Sequence, residues 1–288
     1  MSIVITGATG HLGRHVVESL LARGVPADRI VATGRRVETL ADLASRGVVV
    51  RRADFDDPST LGEAFDGAEK VLLVSAHEPG RRVQQHAHAI EAAKAAGTAL
   101  IAYTSLANAD HSTMTLAADH VATERLLAES GVPYVLLRNS FYVELYTQQL
   151  PAYLDHGFTG AAGAGKLSLA TRSDYAEAAA AALTADGHDG AVLELGGQTV
   201  TKTELAAIMS AVTGRDITYV DLPVDSYQAA LESAGLPQPM AVLLADIDRG
   251  TSVGDLHVDS GDLERLLGRP PTPLADAFAA ATTIQHRG

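Results

Sequence analysis

The chain has 288 residues, enough for one large α/β unit or for a nucleotide-binding domain with a smaller appended part. Its 47% hydrophobic and 20% charged content is that of a globular protein and excludes extended disorder. The absence of cysteine excludes a disulfide framework, thiolate catalysis and Cys-ligated metal, and a formal net charge of −13 opposes binding to nucleic acid or anionic lipid.

The N-terminal run Ser2-Ile3-Val4-Ile5-Thr6-Gly7 lacks the basic start and long apolar stretch of a signal peptide. No run of about 18 apolar residues is available to span a membrane, so the expected location is the cytoplasm. In chain order, β-branched runs at 3–6, 30–33, 48–51, 70–75, 99–104 and 134–138 alternate with helical patterns at 12–23, 37–46, 59–65, 83–96 and 117–129. Gly24, Gly47, Gly97 and Gly131 stand just past helix ends, where a left-handed residue closes the last turn. Nearly all-apolar strands alternating with helices predict a Rossmann-type, doubly wound parallel sheet covered on both faces, with right-handed crossovers.

The second half is less regular. Residues 142–165 carry aromatic residues and then a glycine-rich turn, and Asp174 is a cap or first-turn acid for an alanine-rich helix. Residues 192–195 predict a seventh strand. Thr201 and Glu204 form a capping box opening a helix to Val212. A short strand at 217–219, a helix at 224–234 and a proline-rich stretch at 269–273 before a last helix complete the chain. The expected division is a dinucleotide-binding domain over 1–155, joined by the strand at 192–195, and a smaller α/β lobe for substrate over 156–288.

The most informative stretch is Thr6-Gly7-Ala8-Thr9-Gly10-His11-Leu12-Gly13, with glycines spaced G-x-x-G-x-x-G between a strand and a helix. Gly7 permits a tight turn, Gly10 lets the backbone approach a pyrophosphate, and Gly13 lets the helix pack closely on the strand. The helix N-terminus supplies free N–H groups and positive dipole for phosphates. After the second strand, where an NAD site places a carboxylate on the ribose 2′-hydroxyl, the chain has Gly34-Arg35-Arg36. A guanidinium fork suits a 2′-phosphate, which points to NADP(H); the alternative is a solvated charge cluster. Asp54 and Phe55, after the third strand, either border the adenine or form a strand-end turn with Asp54 as a cap. His86 and His88 are two residues apart and diverge on a helix, so no metal site is expected there. A Gly-x-Ser-x-Gly elbow is missing, and Asp54, Asp56 and Asp57 lack the glycine and distal Glu of a calcium loop.

With these stretches, and with Ile101-Ala102-Tyr103-Thr104-Ser105, Leu137-Arg138-Asn139-Ser140-Phe141-Tyr142, Ala161-Ala162-Gly163-Ala164-Gly165-Lys166 and Ala170-Thr171-Arg172-Ser173-Asp174-Tyr175-Ala176, the chain resembles the NmrA-like atypical short-chain dehydrogenases/reductases over essentially its whole length. The resemblance is to their bacterial quinone-reductase branch. It implies an NADPH site built from the glycine turn (Gly7, Thr9, Gly10, His11, Leu12, Gly13), the arginine after strand two, the end of strand four (Val74, Ser75, Ala76, His77), the end of strand five (Tyr103, Thr104) and Asn139. It also implies a C-terminal lobe that closes a cleft over the nicotinamide. Members transfer hydride to quinones or dyes, or bind NADP as non-catalytic redox sensors; a biosynthetic reductase would share every feature.

The wider superfamily uses a Tyr-x-x-x-Lys pair, and none of the eight tyrosines has Lys four residues later. Judged by spacing to Glu124, Leu116 and His120 occupy those two positions. Tyr103, Thr104, Ser105, His120, Asn139 and Tyr142 are candidates for a polar role, with Tyr103, His120, Asn139 and Tyr142 the catalytic set, because ligands sit outside the carboxyl ends of the strands. The alternative for His120 is a structural bond, and for Tyr142 and Tyr146, one turn apart, it is plain core. The expected partner is a small-molecule acceptor, with a homodimer left open as the assembly.

Overall fold

The computed structural model describes residues 2–76, 78 and 80–285. Its first half runs β1 (Ile3–Ile5), α1 (His11–Ala22), β2 (Ile30–Gly34), α2 (Ala41–Ser45), β3 (Val49–Arg52), α3 (Ser59–Ala64), β4 (Lys70–Leu73), α4 (Arg82–Ala95), β5 (Leu100–Leu106), α5 (Thr115–Ser130) and β6 (Tyr134–Asn139). A middle segment follows, with β7 (Phe141–Tyr142), α6 (Glu144–Thr147), α7 (Leu150–His156), β8 (Phe158–Gly160) and β9 (Lys166–Ala170). The chain continues through α8 (Arg172–Thr184), β10 (Val192–Leu195), β11 (Gln198–Thr201), α9 (Lys202–Thr213), β12 (Tyr219–Asp221), α10 (Val224–Ser233), α11 (Gln238–Ser252), α12 (Asp262–Leu267) and α13 (Leu274–Gln285).

The apolar runs pair as one seven-stranded parallel sheet in the order β3-β2-β1-β4-β5-β6-β10. The order reverses between β1 and β4, the point at which a doubly wound sheet opens a crevice. Gly24, Gly47, Gly97 and Gly131 all take positive φ, between 73° and 91°, as their places past helix ends require. The helix expected over 37–46 divides into a 3-10 turn, Val37–Leu40, and the short α2.

One face of the sheet packs on α1 and α8 and the other on α3, α4 and α5. The connections through α4 and α5 step from β4 to β5 to β6 over the second face. The connection from β6 to β10 steps onward in the same direction, yet its α8 lies on the first face, so it has the opposite hand. The expectation of uniform handedness fails here because the rule governs direct crossovers, and this one detours through β7, α6, α7, β8 and β9.

That detour and the elements after β10 build a second core around Val143, Tyr146, Phe158, Leu167, Leu169, Met209, Ile247 and Phe278. β9 lies between β11, antiparallel, and β7, parallel; β12 and β8 form a separate parallel pair. From the second half of the chain α8 and α12, as well as β10, pack on the large sheet. Of the two roles open to Asp174, the fold uses the first-turn acid: Thr171 caps α8 by accepting from the Asp174 N–H at 3.0 Å. The Thr201–Glu204 capping box forms as predicted.

Buried charges tie these layers together. Arg138, on β6, grips Glu124 with two bonds of 3.0 and 2.7 Å and reaches Glu194 at 3.0 Å and Asp110 at 2.8 Å. Lys70 donates to the Leu183 carbonyl at 2.8 Å, closing the end of α8 from across the sheet. In the second core, Lys202 meets both oxygens of Asp248 at 2.6 Å beneath the rings of Phe158, Tyr219 and Tyr227. Among the described residues no helix is long and apolar enough to cross a membrane.

Arg138→Leu should lower the unfolding free energy by roughly 3–5 kcal/mol, because Glu124 stays buried without its cation. Urea denaturation checks this. The double variant Arg138→Leu/Glu124→Leu should recover much of the loss, and an unchanged midpoint in the single variant would refute the assignment.

Candidate dinucleotide site

A cleft of about 230 Å³ opens outside the carboxyl ends of β1, β2, β3 and β4. Its floor is the glycine turn. Gly7 takes φ +61°, and Ala8 N–H donates to the Thr33 carbonyl at 2.8 Å, which fixes the turn to the neighbouring strand. A Cβ on Gly13 would lie 2.5 Å from the Gly7 carbonyl oxygen and 3.0 Å from Ala8 Cα. The third glycine therefore lets the helix approach the turn itself rather than the strand. α1 begins at His11 with Gly10 as an extended N-cap, no side-chain cap and no acidic residue in the first turn. Its first amides and the positive end of its dipole thus face the cleft ready for an anion.

Thr6 joins the two strands at the switch point. Its hydroxyl donates to the Leu72 carbonyl at 3.0 Å and accepts from Val74 N–H at 2.9 Å. The end of β4 therefore sits beside the glycine turn, with Val74 Cβ 3.5 Å from where a Gly7 Cβ would be.

The structure brings Gly7, Thr9, Gly10, His11, Leu12, Gly13, Arg35, Asp54, Phe55, Ser75 and Ala76 together around the cleft. His77 lies outside the described residues. Arg35 and Arg36 are both exposed, but only Arg35 borders the cleft, where it meets Glu78 at 3.1 Å. Asp54 makes a local turn, its carboxylate accepting from Asp56 N–H at 3.1 Å, rather than capping α3. Val74, expected with Ser75 and Ala76 at the end of β4, also lines the cleft, and sequence reasoning missed Thr33, Gly34, Ala53, Glu78 and Gln85, which line it too. Gly34 carried a signal: a glycine within a strand marks close approach, and a Cβ there would stand 2.6 Å from Thr9 Cγ2.

The remaining candidates stand behind or beside this lining. Thr104 Oγ1 accepts from Ser75 N–H at 2.9 Å. Tyr103 is fully buried, and its hydroxyl shares a 2.9 Å hydrogen bond with His120 Nδ1. Burial pushes the Tyr103 phenol up; burial, then the Arg82 charge, pushes His120 down to about 3. Asn139 is buried with its Oδ1 unpartnered. Tyr142 is half-buried, edge-on to Tyr175 at 5.4 Å, with the Arg172 guanidinium 5.2 Å above its ring. Tyr146 is core, packed on Phe158. His86 and His88 point to different partners, His86 to Ala76 and Thr123 and His88 to the Phe55 carbonyl.

Residues 1–252 match the model of the NmrA-like family. The chain belongs to that family. As an NmrA-like protein it is 49% identical to quinone oxidoreductase 2 of Escherichia coli K12, over 99% of this chain and all of the other. It superposes on the crystal structure of the NADPH-dependent quinone oxidoreductase of E. coli complexed with NADPH at a TM-score of 0.94, with 48% identity over 97% of this chain and 99% of that one. It is likewise similar to the triphenylmethane reductase of Citrobacter sp. complexed with NADP(H), at a TM-score of 0.92 and 37% identity over 98% and 100% of the two chains.

Burial holds His86 as well as His120 down to about 3, against an ordinary value of 6.5. Below pH 6.5 the unfolded chain binds protons that the folded chain refuses, so this stability is full above pH 6.5 and lost as pH falls toward 3. At pH 5 each histidine should have cost roughly 2 kcal/mol relative to neutral pH. Urea unfolding at both pH values checks this: His120→Gln should show a correspondingly smaller acid loss, and an equal loss would place the proton on His120 in the folded state.

Proposed function

We propose that this protein is a cytoplasmic NADPH-dependent oxidoreductase that delivers hydride to a quinone or a similar electron-poor conjugated acceptor. The observation that carries the reading is the lip of the cleft. An uncapped helix N-terminus faces it across the glycine turn, and Arg35, not a carboxylate, follows β2. The residues fit the cofactor: Gly13 and Gly34 leave backbone and Thr9 space that a Cβ would fill. The likeness to a quinone oxidoreductase over the whole chain supports the same reading.

The reduced nicotinamide supplies the hydride. The turn amides and the α1 dipole bind the pyrophosphate, and Arg35 binds the 2′-phosphate. Arg35 and its partner Glu78 are both solvent-accessible, so exchanging that carboxylate for a phosphate costs little. Asn139 and Tyr142, at the end of β6 beside the second core, orient the nicotinamide and the acceptor. Tyr103 and His120 act from behind, because a buried phenol with a raised pKa is a poor acid for a group in the cleft. The reduced acceptor takes its proton from water. A homodimer is the assembly to test by sedimentation.

Purified protein should oxidise NADPH when mixed with a panel of quinones. Arg35→Ala should raise the KM for NADPH about 10- to 100-fold, the worth of a charge-assisted hydrogen bond, and leave the KM for NADH nearly unchanged. Tight NADPH binding with no turnover across the panel would replace the reductase with a sensor.

A further inference from the structure

The backbone of Ala76 forms part of the cleft wall, just beyond the end of β4. Both of its polar groups are held from behind by α4. Ala76 N–H donates to His86 Nε2 at 2.9 Å, and the Arg82 Nε–H donates to the Ala76 carbonyl at 2.5 Å. Neither side chain borders the cleft, and both are buried, His86 completely. The supports are themselves anchored on α5. His86 Nδ1 is 2.8 Å from Thr123 Oγ1, Thr123 donates to the Asp119 carbonyl at 2.9 Å, and Arg82 meets the Asp119 carboxylate at 3.3 Å.

The direction of every proton in this chain is fixed. A backbone N–H can only donate, so Nε2 must carry the lone pair and the neutral ring must carry its proton on Nδ1. That Nδ1–H points at Thr123, whose own proton is spent on Asp119. Burial, then the charges of His120 and Arg82, push the imidazole down to about 3 and keep it in this neutral form. Tyr103 packs edge-on against the ring at 5.4 Å and prevents it from turning away.

We infer that His86, with Arg82, is a positioning residue for the dinucleotide: the two clamp the Ala76 peptide so that the wall of the cleft is set before NADPH enters. The clamp rests on the reading of this cleft as the NADPH site. It touches neither cofactor nor acceptor, so its effect falls on cofactor affinity. Without an acceptor at position 86 the Ala76 N–H is buried unpaired, and the peptide gains by turning toward water and away from its place in the wall.

The test is NADPH binding by calorimetry, with steady-state kinetics on the same proteins. His86→Phe, which keeps the ring but has no acceptor, should weaken NADPH binding about tenfold, the worth of one hydrogen bond. Its kcat at saturating NADPH and its KM for the quinone should stay within about twofold of wild type. His86→Gln, whose amide can accept from Ala76 and donate to Thr123, should restore most of the affinity. Thr123→Val, which leaves Nδ1–H without its acceptor, should weaken binding in the same direction and covers the case in which His86→Phe does not fold. Wild-type affinity in a folded His86→Phe or in Thr123→Val would overturn the clamp alone, as would a His86→Gln protein no better than His86→Phe. Failure of wild-type protein to bind NADPH would instead overturn the reading of the cleft, and the clamp with it.

Discussion

One face of α5 holds the carboxyl ends of three strands. Asp119 and Thr123 reach the end of β4 through Arg82 and His86. His120 meets Tyr103 on β5, and Glu124 takes both Ser105 of β5 and Arg138 of β6. These four residues are spaced along about one and a half turns, so a single stretch of helix presents them together. All four are paired, and His120, Thr123 and Glu124 are buried, where an unmade bond costs more than a made one gains. The crevice at the switch point keeps its shape because its strand ends cannot shift independently.

The second core is tied to the same helix. The Thr115 N–H at the start of α5 donates to Asp246 of α11, and Arg249 of α11 reaches Thr113. Asp255 accepts from the Thr113 N–H and from the hydroxyls of Ser112 and Thr113. α11 is in turn fixed by Asp248, whose partner Lys202 opens α9. The second core is therefore fastened to α5, the helix that also holds the strand ends. The helix that carries a Tyr-Lys pair in the wider superfamily has Leu116 against the second core and His120 turned into the sheet. It is occupied with holding the site, which agrees with a reaction whose chemistry lies in the cofactor and whose protein contribution is orientation.

The glycine turn was legible because its requirements are local. A positive φ at Gly7 and contact distances that forbid a Cβ at Gly13 follow from the path of one short segment. The strands of the large sheet were legible because a parallel strand buried on both faces must be almost wholly apolar. The strands β7, β8, β9 and β11 were not. They have two to five residues each, and their partners lie far away in the chain, so their hydrogen bonds and not their composition define them. α11 also went unread, although Pro237 and Pro239 stand at its start where proline suits a first turn.

By itself the sequence determined the sheet, the glycine turn, the arginine that follows β2 and the absence of a Tyr-Lys pair, since each is written in consecutive residues or in a short period. Only the tertiary structure decided that Arg35 and not Arg36 borders the cleft, that Tyr103 and His120 bond to each other behind it, and that His86 accepts from the Ala76 N–H in the cleft wall. It also decided the partners of Arg138 and Lys202, which lie 14 and 56 residues away for Glu124 and Glu194, and 46 for Asp248. The physical reason is the same in each case. A buried polar group takes whatever partner the packed chain brings within reach, and that choice exists only after the strands and helices have met.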